Sequence, residues 1–490
     1  MARRKRKNSA AKRGLSISQD LCSAKNGEQL KEAVDWFLGD GQIFADLKLH
    51  GKVIWQPVQL AMQALCWAWQ DAKNVTDSFD RALELCHALM LSKVAQSYTS
   101  LMNALHGHHR AFSECLRTRF QSLAEKAGGD FFRTADWVLL AFDGSRVSTP
   151  RTKSLEKAFC APKYGQGSTA KYRKKKSKGM RRKRNERNKP EPQRPQIWIT
   201  MLWHMSLRLS WTWRLGPSNS SERQHVLDML EAEEMPRNTL FCGDAGFVGY
   251  DFWKGILAQE QNFLVRVGAN VHLLSNSVRW KRLKDNQVLC WPKDKMRAGE
   301  PPLKLRLVGV KIGKITMWML TDVLCHKKLS KKAIVRYYKM RWGIEVQFRG
   351  LKQTLDNRKL RCRSSHRALI ELDWSIRGMA VAELLALREQ VAASQRQKRS
   401  PYTPQDRSLA ETVRALRYCM RNPSSRPKNE QPLRQSLQAA LVERYTPRAD
   451  KRSRYRPRNP DKKPLGDPNI LPFTQQHRDR LRKLDRIKAA

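Results

Sequence analysis

Two short apolar runs constrain the fold of this chain more than any other feature. Trp137-Val-Leu-Leu-Ala-Phe142 and Thr239-Leu-Phe-Cys242 are continuous rather than alternating, and each stops at an aspartate beside glycine. The first ends in Asp143-Gly144-Ser145 and the second in Gly243-Asp244-Ala245-Gly246-Phe247. A short unbroken apolar run closed by turn residues reads as a buried strand, since a half-exposed strand would alternate. Strands of this kind, separated by helical segments, call for an α/β sheet covered by helices. Each aspartate is then expected at a strand end. Their plain alternative role is to shape a turn with the neighbouring glycine.

The segments between and after these runs fill out the sheet. Residues 197–216, IWITMLWHMSLRLSWTWRLG, are rich in β-branched and aromatic residues and read as two paired strands. Asn219 with Glu222 three positions on resembles a capping pair, and SERQHVLDMLEAEEM behind it has helical composition. A helix from Phe252 to Gln261 and a strand from Asn262 to Val267 follow the second run. From 269 to 325 the character changes to VRWKRL, QVLCW, LKLRLVGVKIG and KITMWMLTDVL, short strand-like pieces that read as a β-rich insertion. Ser330 is placed to cap the next helix, and a further helix runs from Ser365 to Gln390.

The rest divides by composition. Residues 1–20 read as a basic, disordered arm, lacking apolar surface to offset the entropy of ordering. Residues 21–130 read as a helical N-terminal domain expected to bind DNA, in which Trp67 and Trp69 are expected to pack in the core rather than stack on bases. Core segments 131–268 and 326–392 flank the insertion at 269–325. A basic loop at about 161–196 carries RKKKSKGMRRKRNERNKPEPQR, read as a phosphate clamp or a solvated insertion. Residues 393–490 form a basic, Pro-rich, partly disordered end with helical patches near 408–420 and 434–445.

Charge narrows the partner. Ninety-five Lys and Arg oppose 45 Asp and Glu, a formal net charge of +50 over 490 residues, so a polyanion is expected. Double-stranded DNA fits best, because the cations are spread along the chain beside 15 Trp rather than gathered next to a membrane anchor. No apolar run is long enough to span a bilayer, and a cytoplasmic location with no membrane partner is expected. The ten cysteines include no Cys-x-x-Cys pair and suit a reducing compartment. His106, His108 and His109 with Cys115, or Cys325 and His326 with Cys362 and His366, match no standard zinc spacing.

The chemistry gathers on one helix. At 100° per residue, Tyr338, Arg341, Glu345 and Lys352 fall within roughly 60° of one another. Tyr337, Met340, Ile344, Phe348 and Leu351 form an apolar stripe about a quarter turn away. The helix can therefore bury one face and turn its polar row toward a cleft. The ordinary alternative is an amphipathic helix with ion pairs from Glu345 to Arg341 and to Arg349. Asp143, Asp244 and Glu345, if brought together, would need a cation to relieve their repulsion, and hard oxygen donors suit Mg²⁺ or Mn²⁺, two of which would serve in-line phosphoryl transfer.

The spacing Tyr338-x2-Arg341-x3-Glu345-x6-Lys352 resembles the Tyr-Arg-Glu-Lys signature of DDE-type cut-and-paste insertion-sequence transposases. Asp143-Gly-Ser and Asp244-Ala-Gly-Phe resemble that family's two aspartate motifs, and the likeness covers residues 135 to 390. It implies an α/β fold with an RNase H-like catalytic core, a mixed five-stranded sheet with flanking helices, interrupted by the β-rich insertion and preceded by the helical domain. It also implies that Asp143, Asp244 and Glu345 are the catalytic, metal-binding triad. Tyr338, Arg341, Lys352 and Arg349 would contact DNA, and Trp318 would stack a flipped base, with Trp280 and Trp291 as rivals in the same insertion. The expected activity is metal-dependent cleavage at terminal inverted repeats followed by strand transfer, carried out by a homodimer in a synaptic complex. A nuclease that cuts without joining, or an inactive DNA-binding derivative, would share most of these features.

Overall fold

The structure is a computed structural model that describes residues 24–160, 194–276, 280–283, 285–312, 315–396, 402–427, 432–442 and 465–489. The N-terminal arm and most of the basic loop lie outside the described residues. Two compact units emerge: one from residues up to 123 with 377–402 and 406–442, the other from 124–376, 403–405 and the residues after 443. No helix among the described residues is long and apolar enough to cross a membrane.

The first unit is helical. It holds α1 (Asn26–Leu38), α2 (Pro57–Trp69), α3 (Val75–Ala88), α4 (Tyr98–Gly107) and most of α5 (His109–Gly128). Pro57 opens α2 at a position where the missing N–H costs nothing. Trp67 and Trp69 are buried, and the Trp69 indole N–H donates to the Gly378 carbonyl at 2.8 Å. Burial of an aromatic side chain of this size contributes on the order of 2–3 kcal/mol. Both tryptophans therefore pack in the core, as their setting in an apolar helix suggested.

The second unit is built on one mixed ten-stranded sheet in the order β10-β6-β7-β8-β9-β5-β4-β1-β2-β3. Its strands are β1 (Val138–Ser148), β2 (Gln196–His204), β3 (Leu209–Gly216), β4 (Thr239–Gly243), β5 (Asn262–Val267), β6 (His272–Ser275), β7 (Asp285–Cys290), β8 (Leu303–Ile312), β9 (Ile315–Thr321) and β10 (Asn469–Pro472). Between them stand α6 (Lys153–Phe159), α7 (Glu222–Ala232), α8 (Tyr250–Ala258), α9 (Trp280–Leu283) and α10 (Lys293–Arg297). α11 (Lys331–Arg341), α12 (Gly343–Gln353) and α13 (Ser365–Arg396) follow β9. The fold is thus mixed α/β.

Four local expectations change. β1 does not stop at Phe142: its ladder with antiparallel β2 runs from Leu140↔His204 to Ser148↔Gln196, and this continuous pairing overrides the turn preference of Asp-Gly. The pieces between 269 and 325 do not form a separate sheet, because β9 pairs with β5 and carries β8, β7 and β6 outward as a continuation of the same sheet. VRWKRL contributes the short helix α9 rather than a strand. The C-terminal end supplies strand β10, parallel to β6, as well as α14 (Leu409–Arg421), α15 (Leu433–Gln438) and α16 (Gln475–Ala489).

The helix bearing the polar row is also two helices. α11, capped by Ser330 accepting from the Ala333 N–H at 3.2 Å, ends at Arg341, and α12 begins at Gly343. Trp342 forms the joint and is 56% exposed. The apolar stripe survives the break, since Tyr337, Ile344, Phe348 and Leu351 are all buried and only Met340 is half-exposed.

Candidate active site

The site begins where two strands part. β1 and β4 pair in parallel from Val138↔Thr239 to Ala141↔Cys242, and Asp143 and Asp244 each stand two residues beyond that last pair. The matched register sets the two aspartates beside each other, where neighbouring strands diverge and leave a crevice. Phe142 anchors the floor, its ring centroid 4.4 Å from Phe247, with Phe241 and Phe252 around it.

Backbone donors orient both side chains. The Gly144 N–H donates to Asp143 Oδ1 at 2.8 Å, and the Gly246 N–H donates to Asp244 Oδ1 at 2.8 Å. The second bond, two residues forward, closes a turn of the aspartate type. Asp244 therefore shapes its turn and also faces the crevice.

Glu345 arrives from α12, which packs on β1. It sits in the first helical turn, where the positive end of the helix dipole favours a carboxylate. Gly343 makes this approach possible: a Cβ there would fall on the Trp203 indole of β2.

One guanidinium ties the acids together. Arg341, only 7% exposed, places Nη1 3.8 Å from Asp143 Oδ2 and Nη2 3.3 Å from Glu345 Oε1. It also lies 5.5 Å from the Tyr338 ring centroid. Its Nε has no acceptor among the described residues. A buried donor without a partner is costly, and an anion entering the crevice would relieve it. Lys352 lies further along α12, half-buried, and donates from Nζ to Ser145 Oγ at 2.7 Å. Burial, reinforced by Arg358, lowers its pKa.

The acids also influence one another electrostatically. Burial raises the Asp143 pKa to about 6; the Gly144 N–H and Arg341 oppose the rise, while Asp244 and Glu345 add to it. Both other acids are therefore near enough to repel it. The oxygen donor set suits a hard divalent cation in chemistry and in charge. Among the described residues, however, no three His, Cys, Asp or Glu side chains stand close enough to hold one ion. In this arrangement Arg341 supplies the positive charge between Asp143 and Glu345.

The remaining expected residues lie apart from this cluster. Arg349 is exposed on α12, and the ion pair from Glu345 goes to Arg341 rather than to Arg349. Trp318, on β9, is 5% exposed. Its indole N–H donates to Asp467 Oδ1 at 2.9 Å, and its ring meets Trp280 edge-on at 5.0 Å. Trp291 is buried as well.

One acid at the crevice has no place in the sequence pattern. Ser221, not Asn219, caps α7, its hydroxyl accepting from the Gln224 N–H at 3.3 Å. Glu222 is consequently the first helical residue rather than a capping partner, and its carboxyl group packs against Gly144. Burial raises its pKa to about 7, with Asp143 and Asp244 adding to the rise and Arg146 opposing it. The only sequence signal was an acid in the first turn of a helix, which is common.

Residues 138–377 match the family described as transposase DDE domain, a span that contains Asp143, Asp244 and Glu345. Among solved structures, a piggyBac transposase synaptic complex with hairpin DNA aligns at 12% identity and a TM-score of 0.36, over 91% of this chain and 81% of that one. That likeness is too loose to bear on the fold. No curated protein matches the chain.

Proposed function

We propose that this chain, whose residues 138–377 belong to the transposase DDE domain family, is a DNA transposase that cuts at the ends of its element and joins them to new DNA. Asp143, Asp244 and Glu345 are its catalytic acids. The observation that carries the assignment is the Arg341 guanidinium reaching Asp143 and Glu345 at once, with Asp244 close enough to influence Asp143. The strand order β3-β2-β1-β4-β5 within the larger sheet supports an RNase H-like core.

Asp143, Asp244 and Glu345 would hold divalent cations, Mg²⁺ or Mn²⁺ and two in number. When bound, these activate the attacking oxygen and stabilise charge on the leaving oxygen. The chain's own residues do the rest. Arg341, with its unpartnered Nε, binds a phosphate oxygen beside the acids, and the charge-assisted bond fixes the phosphate at the crevice. Lys352 on α12 and Tyr338 on α11 extend the contact along the backbone, and Arg349 adds an exposed cation on α12. Trp318 reaches a base only if its contacts with Asp467 and Trp280 open. In the first step, water attacks phosphorus at the element end and the 3′ oxygen leaves as a hydroxyl. In the second, that hydroxyl attacks a target phosphate and displaces the target's 3′ oxygen. Terminal inverted repeats are the cleavage substrate, and a homodimer brings two ends together.

The test uses duplexes carrying the element ends. The unaltered chain with Mg²⁺ yields cut ends and, when given pre-cut ends and target DNA, joined products. Glu345→Gln should lower both reactions by at least 10³-fold while leaving DNA affinity within about twofold, the scale on which loss of transition-state charge stabilisation is felt. Cleavage retained by that variant would remove the assignment, and cutting without joining would make the protein a nuclease.

A further inference from the structure

We propose that the Lys281 ammonium and the Trp318 indole N–H form a binding site for one backbone phosphate of duplex DNA, a site that the carboxylate of Asp467 fills in the free protein. This rests on the chain's being a DNA-binding enzyme, as read above, and not on its catalytic acids.

The donors are in place before any ligand arrives. Trp318 on β9 pairs with Gly309 on β8, and a Cβ at 309 would lie 2.9 Å from Trp318 Cζ3, so the ring rests on bare backbone. Trp280 meets it edge-on at 5.0 Å and is itself tied down by Asn286, whose Nδ2 donates to the Trp280 carbonyl at 2.8 Å. Lys281, the next residue, holds its ammonium 5.5 Å from the Trp280 ring centroid.

Both donors converge on a single anion. Trp318 Nε1 donates to Asp467 Oδ1 at 2.9 Å, and Lys281 Nζ lies 2.7 Å from Asp467 Oδ2. Lys281 and the indole N–H together hold the Asp467 carboxyl below the usual carboxylate range. A phosphodiester presents two acceptor oxygens and one negative charge on one centre, so it suits the same pair of donors. The ring stays on Gly309 throughout, since the site uses the indole edge and not its face.

The carboxylate is replaceable. The Lys281 and Asp467 side chains are 63% and 49% exposed, a setting in which an ion pair contributes little and another anion can compete. Gly466, at φ +70°, presents Asp467 at the start of a segment held to the sheet by main-chain bonds. These run from the Ala269 N–H to the Leu465 carbonyl at 3.0 Å, from Asn469 to Val271 at 3.1 Å and from Phe473 to Ser275 at 3.0 Å. Asn469, Leu471 and Pro472 of β10 are exposed, so little apolar burial resists a local shift. DNA biases the exchange, because a polyanion attracts Lys281 and repels Asp467. α16, which follows β10, exposes Arg478, Arg482, Lys483 and Arg486 to the same polyanion.

Affinity of the full chain for a random-sequence duplex tests the exchange. Asp467→Asn keeps an acceptor for the Trp318 N–H and removes the competing charge, so affinity should rise roughly fivefold, the scale of one exposed ion pair. Adding Lys281→Gln should cancel that gain and flatten the slope of log affinity against log salt by about 0.9, the share of one phosphate. A tie that only pins the C-terminal strand predicts instead that Asp467→Asn binds DNA equally well or less well, and that result in a folded variant overturns the proposal while leaving the catalytic reading untouched. Should the variant fail to fold, acetylation footprinting of the unaltered chain decides. Saturating duplex should shield Lys281, and equal reactivity with and without DNA also overturns the proposal. If the unaltered chain binds no duplex, the preceding reading fails and this one fails with it.

Discussion

Asp143 stands where its charge is electrostatically unfavourable. Its pKa is raised from 3.8 to about 6, so the ionised form is disfavoured in the folded chain. Because the folded value lies above the unfolded one, the associated stability is fully present below pH 3.8 and is lost as pH rises through about 6. At neutral pH without divalent ions, Asp143→Asn should therefore stabilise the protein, by roughly 1–3 kcal/mol at one pKa unit per 1.36 kcal/mol. Thermal unfolding in chelator at pH 7.5 should show a melting point a few degrees higher for the variant, and at pH 4 the two should converge. A variant less stable at pH 7.5 would mean that the contact with Arg341 outweighs burial. At this scale the three acids were legible because strand ends and helical spacing are local properties. Glu222 was not, since its contact with Gly144 depends on where α7 lies on the sheet.

Elements decide whether legible residues meet. The polar row was read along one continuous helix, whereas α11 and α12 meet at Trp342, and Arg341 spans the joint to Glu345. A four-residue spacing survives such a joint because both sides keep helical dihedrals; Trp342 itself lies at φ −54°, ψ −22°. Likewise, the extension of β1 past Asp143 was hidden by turn chemistry and revealed only by its partner β2. The place where element packing controls the site is Gly343 against Trp203. Gly343→Ala should push the first turn of α12 off β2, lowering stability by about 1–3 kcal/mol, as overpacking does. Cleavage should drop further, on the order of 10²-fold, since misplacement by about 1 Å is enough for that. Melting temperature and cleavage rate check the two parts separately; unaltered values for both would show that Trp203 yields freely.

At the scale of the molecule, charge and catalysis are separable. Composition pointed to a polyanion without saying where it docks, because a net charge of +50 has no direction. Among the described residues, α11 offers one basic surface. Lys332, Arg336 and Lys339 are exposed at four- and three-residue intervals, so they share one helical face, and they line a groove with Thr403 and Gln405. None of the three has an ion-pair partner among the described residues. Each phosphate they neutralise releases counterions and contributes about 0.9 to the slope of log affinity against log salt. The combined reversal Lys332→Glu, Arg336→Glu and Lys339→Glu should flatten that slope by about 3 on duplex DNA. Glu345→Gln should leave the slope where it was, because the acid changes the reacting phosphate's surroundings and not the number of phosphates covered. Measuring affinity between about 50 and 200 mM salt for both variants distinguishes the two effects. An unchanged slope in the triple reversal would place the DNA path away from α11, with the basic stretch at 173–194 as the next segment of the sequence to alter.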